Sequence, residues 1–119
     1  MVRWTRPARF DLKQVRDYIA RDSRFYAEKV SLEIVEKSEI LNSFPEAGRI
    51  VPEIGDPNIR ELFIYSYRLV YEILPTKIEI LALIHAKRNF MKQFTNASRQ
   101  ERANNKAIHN IKRPGATIA

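Results

Sequence analysis

The chain has 119 residues, 45% of them hydrophobic and 29% charged, which is the length of one domain with one modest core. It contains no cysteine, which excludes disulfides and thiolate metal sites, and its three glycines are unclustered, so a phosphate-cradling loop has no seat. The net charge of +7 is uneven: residues 1–90 hold 15 Lys and Arg against 13 Asp and Glu, while residues 91–119 hold 6 against 1. Such a basic tail either attracts nucleic acid or an acidic protein, or serves as a solvated end.

The start of the chain lacks the charged and apolar regions of a signal peptide, and the most apolar run, Ile80 to Ile84, is far short of the roughly 20 residues of a membrane span. A soluble, cytoplasmic protein without membrane contact is the expectation. His85 and His109 stand apart with no HExxH spacing, and no GxSxG elbow occurs, so neither a metal nor a cofactor is expected. Any catalysis must use Glu, Arg, Lys and His.

In chain order, Val2 to Thr5 is β-prone, and Pro7 suits the first turn of a helix, where its missing N–H costs nothing. Ala8, Leu12, Val15 and Ile19 then share one helical face as far as Arg21. Asp22 and Ser23 are N-cap residues for a second helix to about Asn42, with Ala27, Val30, Ile34 and Leu41 on one face and Glu33 and Lys37 as an i, i+4 pair. Pro45 and Gly48 break the helix. Arg49 to Glu53 reads as extended within an irregular loop set by Pro52, Gly55 and Pro57.

From Arg60 to Arg88 the chain reads as three strands in an antiparallel meander. Tyr67, Leu69, Tyr71 and Ile73 alternate with Arg68, Val70 and Glu72, and the first set is expected to face the helices. Leu74 to Lys77 is a turn, after which Ile78, Ile80, Ala82 and Ile84 alternate with Glu79, Leu81, Leu83 and His85. Tyr65, Tyr67 and Tyr71 read as core residues with hydroxyls at its edge. Arg68 and His85 are costly to bury unless paired or used, and Glu72 on the same strand face is one partner for Arg68. Residues 1–90 thus form one α+β domain, ordered β-α-α-β-β-β. Residues 91–119 are a basic extension, partly helical from Phe94 to Ile111 or disordered.

VRWTRPARFDLKQVRDYIARDS, LNSFPEAGRIVPE, REL at Arg60 to Leu62, YRLVYEI at Tyr67 to Ile73 and the closing IEILALIHAKR together resemble the RelE/ParE superfamily of bacterial type II toxin–antitoxin toxins, and the ParE branch more than the RelE branch. The resemblance implies an antiparallel sheet packed on a helical hairpin, and a cognate antitoxin as partner. It implies poisoning of DNA gyrase in the ParE branch, or cleavage of messenger RNA on the ribosome in the RelE branch. Matched to nucleases of the YoeB kind, Glu53 lies in the segment that carries their base, Arg68 matches the Arg of their RLVY as the phosphate-stabilising cation, and His85 lies within a residue or two of their terminal His, the acid. The Tyr that follows in those nucleases is replaced by Ala86, and the lysines used by RelE have no equivalent. Arg60, Lys87 and Arg88 are the basic residues expected to meet the target or the antitoxin.

Overall fold

The computed structural model describes residues 1–94; the expectations for 95–119 lie outside the described residues. Strand β1 (Val2–Trp4) leads into α1 (Arg6–Ala20) and α2 (Arg24–Ser38), which ends in a 3-10 turn over Glu39–Asn42. Strands β2 (Arg49–Ile50), β3 (Ile59–Ile64), β4 (Tyr67–Ile73) and β5 (Ile78–His85) follow, and a short helix α3 (Phe90–Phe94) closes the described chain. No helix among these residues is long and apolar enough to cross a membrane.

Both helices start where the side chains dictate. The Thr5 hydroxyl caps α1 by accepting the Ala8 N–H, with Pro7 in the first turn, and the Ser23 hydroxyl caps α2 by accepting the Tyr26 N–H at 3.1 Å. Ala8, Ala27, Val30, Ile34 and Leu41 are buried, and Leu12, Val15 and Ile19 pack against them, as their spacing predicts. Glu33 departs from its expected pairing with Lys37 and accepts the Tyr65 hydroxyl instead.

The sheet has the order β1-β5-β4-β3-β2, with β3, β4 and β5 in the expected antiparallel meander. It is mixed, not wholly antiparallel. β1 lies parallel to β5, with Val2 opposite Ile78 and Trp4 opposite Ile80, because the helical hairpin carries the chain across the sheet before the next strand forms. Thr5 fastens this crossover by donating its hydroxyl to the Ile80 carbonyl at 2.6 Å.

The strict alternation expected along β5 fails at Leu81. Val70 pairs with Ala82 and Tyr71 with Ile80, so Leu81 is an extra residue in a β-bulge. Ile78 and Ile80 therefore face the helices, but beyond the bulge it is Leu83 that does so, while Leu81, Ala82 and Ile84 join the opposite face. Buried Asp11 of α1 accepts the Leu83 N–H beside this irregularity at 3.0 Å, tying the helix to the sheet and satisfying a backbone donor.

Two cores result. Between hairpin and sheet lie Leu69, Tyr71, Ile80, Ile34 and Leu41, with Tyr67 and Ile73 at the margin. On the other face, Val51, Ile59, Val70 and Ile84 are covered by Phe90 and Phe94 of α3. Of the three tyrosines expected in the core only Tyr71 is fully enclosed; its hydroxyl donates to the Pro45 carbonyl at 2.7 Å and accepts the Gly48 N–H at 2.9 Å. A side chain at Gly48 would meet the Glu61 carbonyl oxygen at 2.4 Å, so only glycine lets the crossover loop lie on β3.

Replacing Leu69 or Ile80 by Ala is expected to cost about 2 to 5 kcal/mol, since both are fully buried and truncation leaves a cavity. Thermal and urea denaturation measure this, and an unchanged midpoint contradicts the core assignment.

Candidate functional site

Alternation along β4 puts Arg68 on the face away from the helical hairpin, next to Val70. Pairing with β3 sets Phe63 opposite Arg68 and Glu61 opposite Val70, so Glu61 and Arg68 occupy one face, two residues apart along the ladder. The Arg68 guanidinium donates from Nε to Glu61 Oε1 at 2.5 Å. Its two terminal nitrogens donate to Glu53 Oε2 at 3.0 Å and Oε1 at 2.7 Å, a bidentate pair with the loop after β2. Arg49 Nε donates to the second oxygen of Glu61 at 2.7 Å. The Phe90 ring of α3 lies against the guanidinium, 4.4 Å from its carbon, as a cation–π lid.

Two arginines and two carboxylates thus alternate as Arg49–Glu61–Arg68–Glu53. Arg68 is 6% exposed and Glu61 1%. Glu72, the partner suggested by strand alternation, is displaced from that role by Glu61 and Glu53, which no single-strand pattern can pair with Arg68. Hydrogen bonds from Arg68 hold the Glu53 carboxyl below the ordinary carboxylate range against the opposing effect of burial, and the bond to Glu53 leads in raising Arg68. A carboxylate in this state has both oxygens engaged and little affinity for a proton, which is the reverse of what a general base near neutral pH requires.

His85 lies elsewhere. It is paired opposite Tyr67, with the two rings edge to face at 5.4 Å between centroids, so it shares the Tyr67 face and not the Arg68 face. Its Nδ1 accepts the Lys87 N–H at 3.1 Å. The structure brings Glu53 and Arg68 together and leaves His85 across the sheet from them. Lys87 and Arg88 are exposed in the turn after β5, whereas Arg60 stitches the crossover loop, donating to the Pro57 carbonyl at 2.9 Å and the Gly48 carbonyl at 3.1 Å. Glu61, Arg49 and Phe90 escaped the sequence reading. For Glu61 the signal existed, a charged residue inside the apolar run Ile59 to Ile64.

Arg68→Ala takes from the buried Glu61 its enclosed partner, leaving only the exposed Arg49, and is expected to destabilise the fold by about 3 kcal/mol, whereas Arg68→Met combined with Glu61→Leu recovers much of that loss by removing both charges. Chemical denaturation of the single and double variants measures the difference. The lowered pKa of Glu53 gives a second expectation. A carboxyl whose folded-state pKa is depressed stabilises the fold above its unfolded pKa, and that contribution is lost as pH falls through the folded value. The melting-temperature gap between wild type and Glu53→Gln should therefore be widest near neutral pH and close from about pH 5 downward.

Comparison with known proteins places this architecture. Residues 2–90 match the family model described as the ParE toxin of type II toxin–antitoxin system, parDE. Toxin RelE2 of Caulobacter vibrioides is 31% identical over 86 residues, which cover 71% of this chain and 93% of that protein. A solved chain of the chromosomal ParDE TA system from P. aeruginosa superposes with a TM-score of 0.62 at 25% identity, covering 72% of this chain and 95% of that one. With its helical hairpin, mixed five-stranded sheet and matching sequence over residues 2–90, this chain belongs to the ParE toxin family of type II toxin–antitoxin systems.

Proposed function

We propose that the protein arrests bacterial growth as a toxin that binds and inhibits DNA gyrase, and that a cognate antitoxin neutralises it. The observation that carries this reading is the closed Arg49–Glu61–Arg68–Glu53 cluster, with His85 on the other face of the sheet. Metal-independent cleavage of RNA at a 2′-hydroxyl uses a base, a cation facing the phosphate and an acid converging on one substrate. Here the matching base and cation neutralise each other and the acid points away. A toxin that works by binding needs no such convergence, because its contacts must only complement the partner's surface and no proton is transferred. The match of residues 2–90 to the ParE family supports the same side of the choice.

Expression of the full chain alone is expected to stop growth, and co-expression of the adjacent antitoxin to restore it. With purified protein, gyrase supercoiling should be blocked while ribosome-bound messenger RNA stays intact, and Glu53→Gln should block supercoiling as wild type does. Cleavage of the messenger RNA, lost in Glu53→Gln and His85→Ala, together with untouched gyrase, reverses the reading in favour of a ribonuclease.

A further inference from the structure

Helix α2 is apolar on two sides. Its buried residues Ala27, Val30, Ile34 and Ser38 follow one another at helical spacing and face inward. Phe25 and Leu32 each stand two residues before one of them, and two residues are about 200° of helix rotation, so this pair lies on the outer side. The outer residues are large and open: Phe25 is 77% exposed, Leu32 59% and Ile40, in the 3-10 turn that extends the helix, 47%. Phe44, whose N–H donates to the Ile40 carbonyl at 2.9 Å, follows at 62%. Single exposed apolar side chains are ordinary, but a row of them along one helix marks a contact surface.

Charges along this seam are arranged about its middle. Lys29 and Glu36 lie on one flank of it, and no ion pair of either occurs among the described residues. They are equally distant from a point between Leu32 and Glu33, as are Phe25 and Ile40. Glu33, which keeps its charge while accepting the Tyr65 hydroxyl, and Lys37 lie further round the same flank, which therefore carries two cations and two carboxylates. On the other flank Glu28 shares the groove between α1 and α2 with Arg16 and Arg24, Glu39 stands at the far end, and Asp17 is taken by Lys13. Both flanks are balanced. A partner of one charge sign gains nothing from such a face, whereas an antiparallel copy of the same helix meets each member of the Lys29 and Glu36 set with its opposite.

We propose that the outer face of α2 is a self-association surface, on which a second copy of this chain docks its own α2 antiparallel, across a two-fold axis between Leu32 and Glu33. The two Leu32 side chains meet at the axis, and Phe25 of each copy packs on Ile40 of the other. An antiparallel two-fold joins like flank to like flank, so Lys29 of each copy meets Glu36 of the other, twice per dimer. Such self-complementarity is what an isologous contact requires. The balance of the flanks also matters, because each copy carries +7 overall and a cationic seam would add repulsion. The 15 residues of α2 make a rod about 22 Å long, so the contact is smaller than a standard interface and the dimer is expected to dissociate on the order of 10 to 100 µM. This association does not depend on which target the toxin inhibits.

Sedimentation velocity of the purified full-length toxin from about 1 to 500 µM reads the association directly. Wild type is compared with Leu32→Glu, Lys29→Glu, Glu36→Lys and the exchange Lys29→Glu/Glu36→Lys. Circular dichroism and melting temperature are expected to stay unchanged, since all three positions are exposed. Leu32→Glu sets two carboxylates together at the axis and is expected to abolish the dimer, each single charge reversal to weaken it about 10-fold, and the exchange to restore it. Lys29 and Glu36 stand two turns apart on one helix, too far to pair within a copy, so recovery in the exchange reads a contact between copies. A wild type that stays monomeric at the highest concentration overturns the proposal, and so does a dimer that Leu32→Glu leaves intact, or an exchange variant that associates no better than the single reversals. A monomeric wild type whose antitoxin binding or gyrase inhibition is lost in Leu32→Glu also overturns it and reassigns the face to that protein.

Discussion

The Arg68–Glu61 pair is the constraint on which the sheet depends. Both side chains are buried on one face, and taking two charges out of water is repaid only with good geometry and further hydrogen bonds. Glu53 and Arg49 supply those bonds, and Phe90 supplies the lid. The cluster also fixes register. A slip of one residue between β3 and β4 would carry Glu61 or Arg68 into the core under the helical hairpin, where Leu69 and Tyr71 now lie, without a partner for its charge. One network thereby joins β2, β3, β4, the loop carrying Glu53, and α3.

The same saturation governs what the site can do. A guanidinium that meets two carboxylates has little positive field left for a phosphate, and a carboxylate held by two of its hydrogen bonds is a weaker base than a free one. In this chain Glu53 and Arg68 are paired with each other, while His85 lies with Tyr67 on the opposite face of the sheet. Sequence position locates a side chain along the chain; the fold decides what that side chain has left to offer.

How much was legible follows from the range of each signal. The caps at Thr5 and Ser23, Pro7 in the first turn and the apolar spacing of Ala27, Val30 and Ile34 act within a few residues, and they placed the hairpin correctly. Alternation along β4 assigned Tyr67, Leu69, Tyr71 and Ile73 to the helix side for the same reason. The bulge at Leu81 was hidden because every residue from Ile80 to Ile84 is apolar, so shifting the phase leaves no mark on the pattern. The parallel docking of β1, and the choice of Glu61 and Glu53 over Glu72 as partners of Arg68, are long-range facts of strand pairing that no local spacing encodes. Of the candidate site, the sequence supplied the charged residues Glu53 and Arg68, and the structure supplied their mutual neutralisation.

The two sides of β4 end up with opposite assignments. On one, Arg68 lies enclosed beneath Phe90 and joins β4 to β3 and to the loop carrying Glu53. On the other, the chain enters β4 through Tyr67 from the Tyr65–Ser66 tip, whose exposed Tyr65 ring is tied to α2 by its bond to Glu33. The left-handed backbone of Tyr65 sits at this tip, where Glu33 holds its exposed ring in place. Rigidity supplied by the buried cluster is what lets that end present a defined shape, since the hairpin bearing Tyr65 is the same β3–β4 pair whose register Arg68 and Glu61 lock.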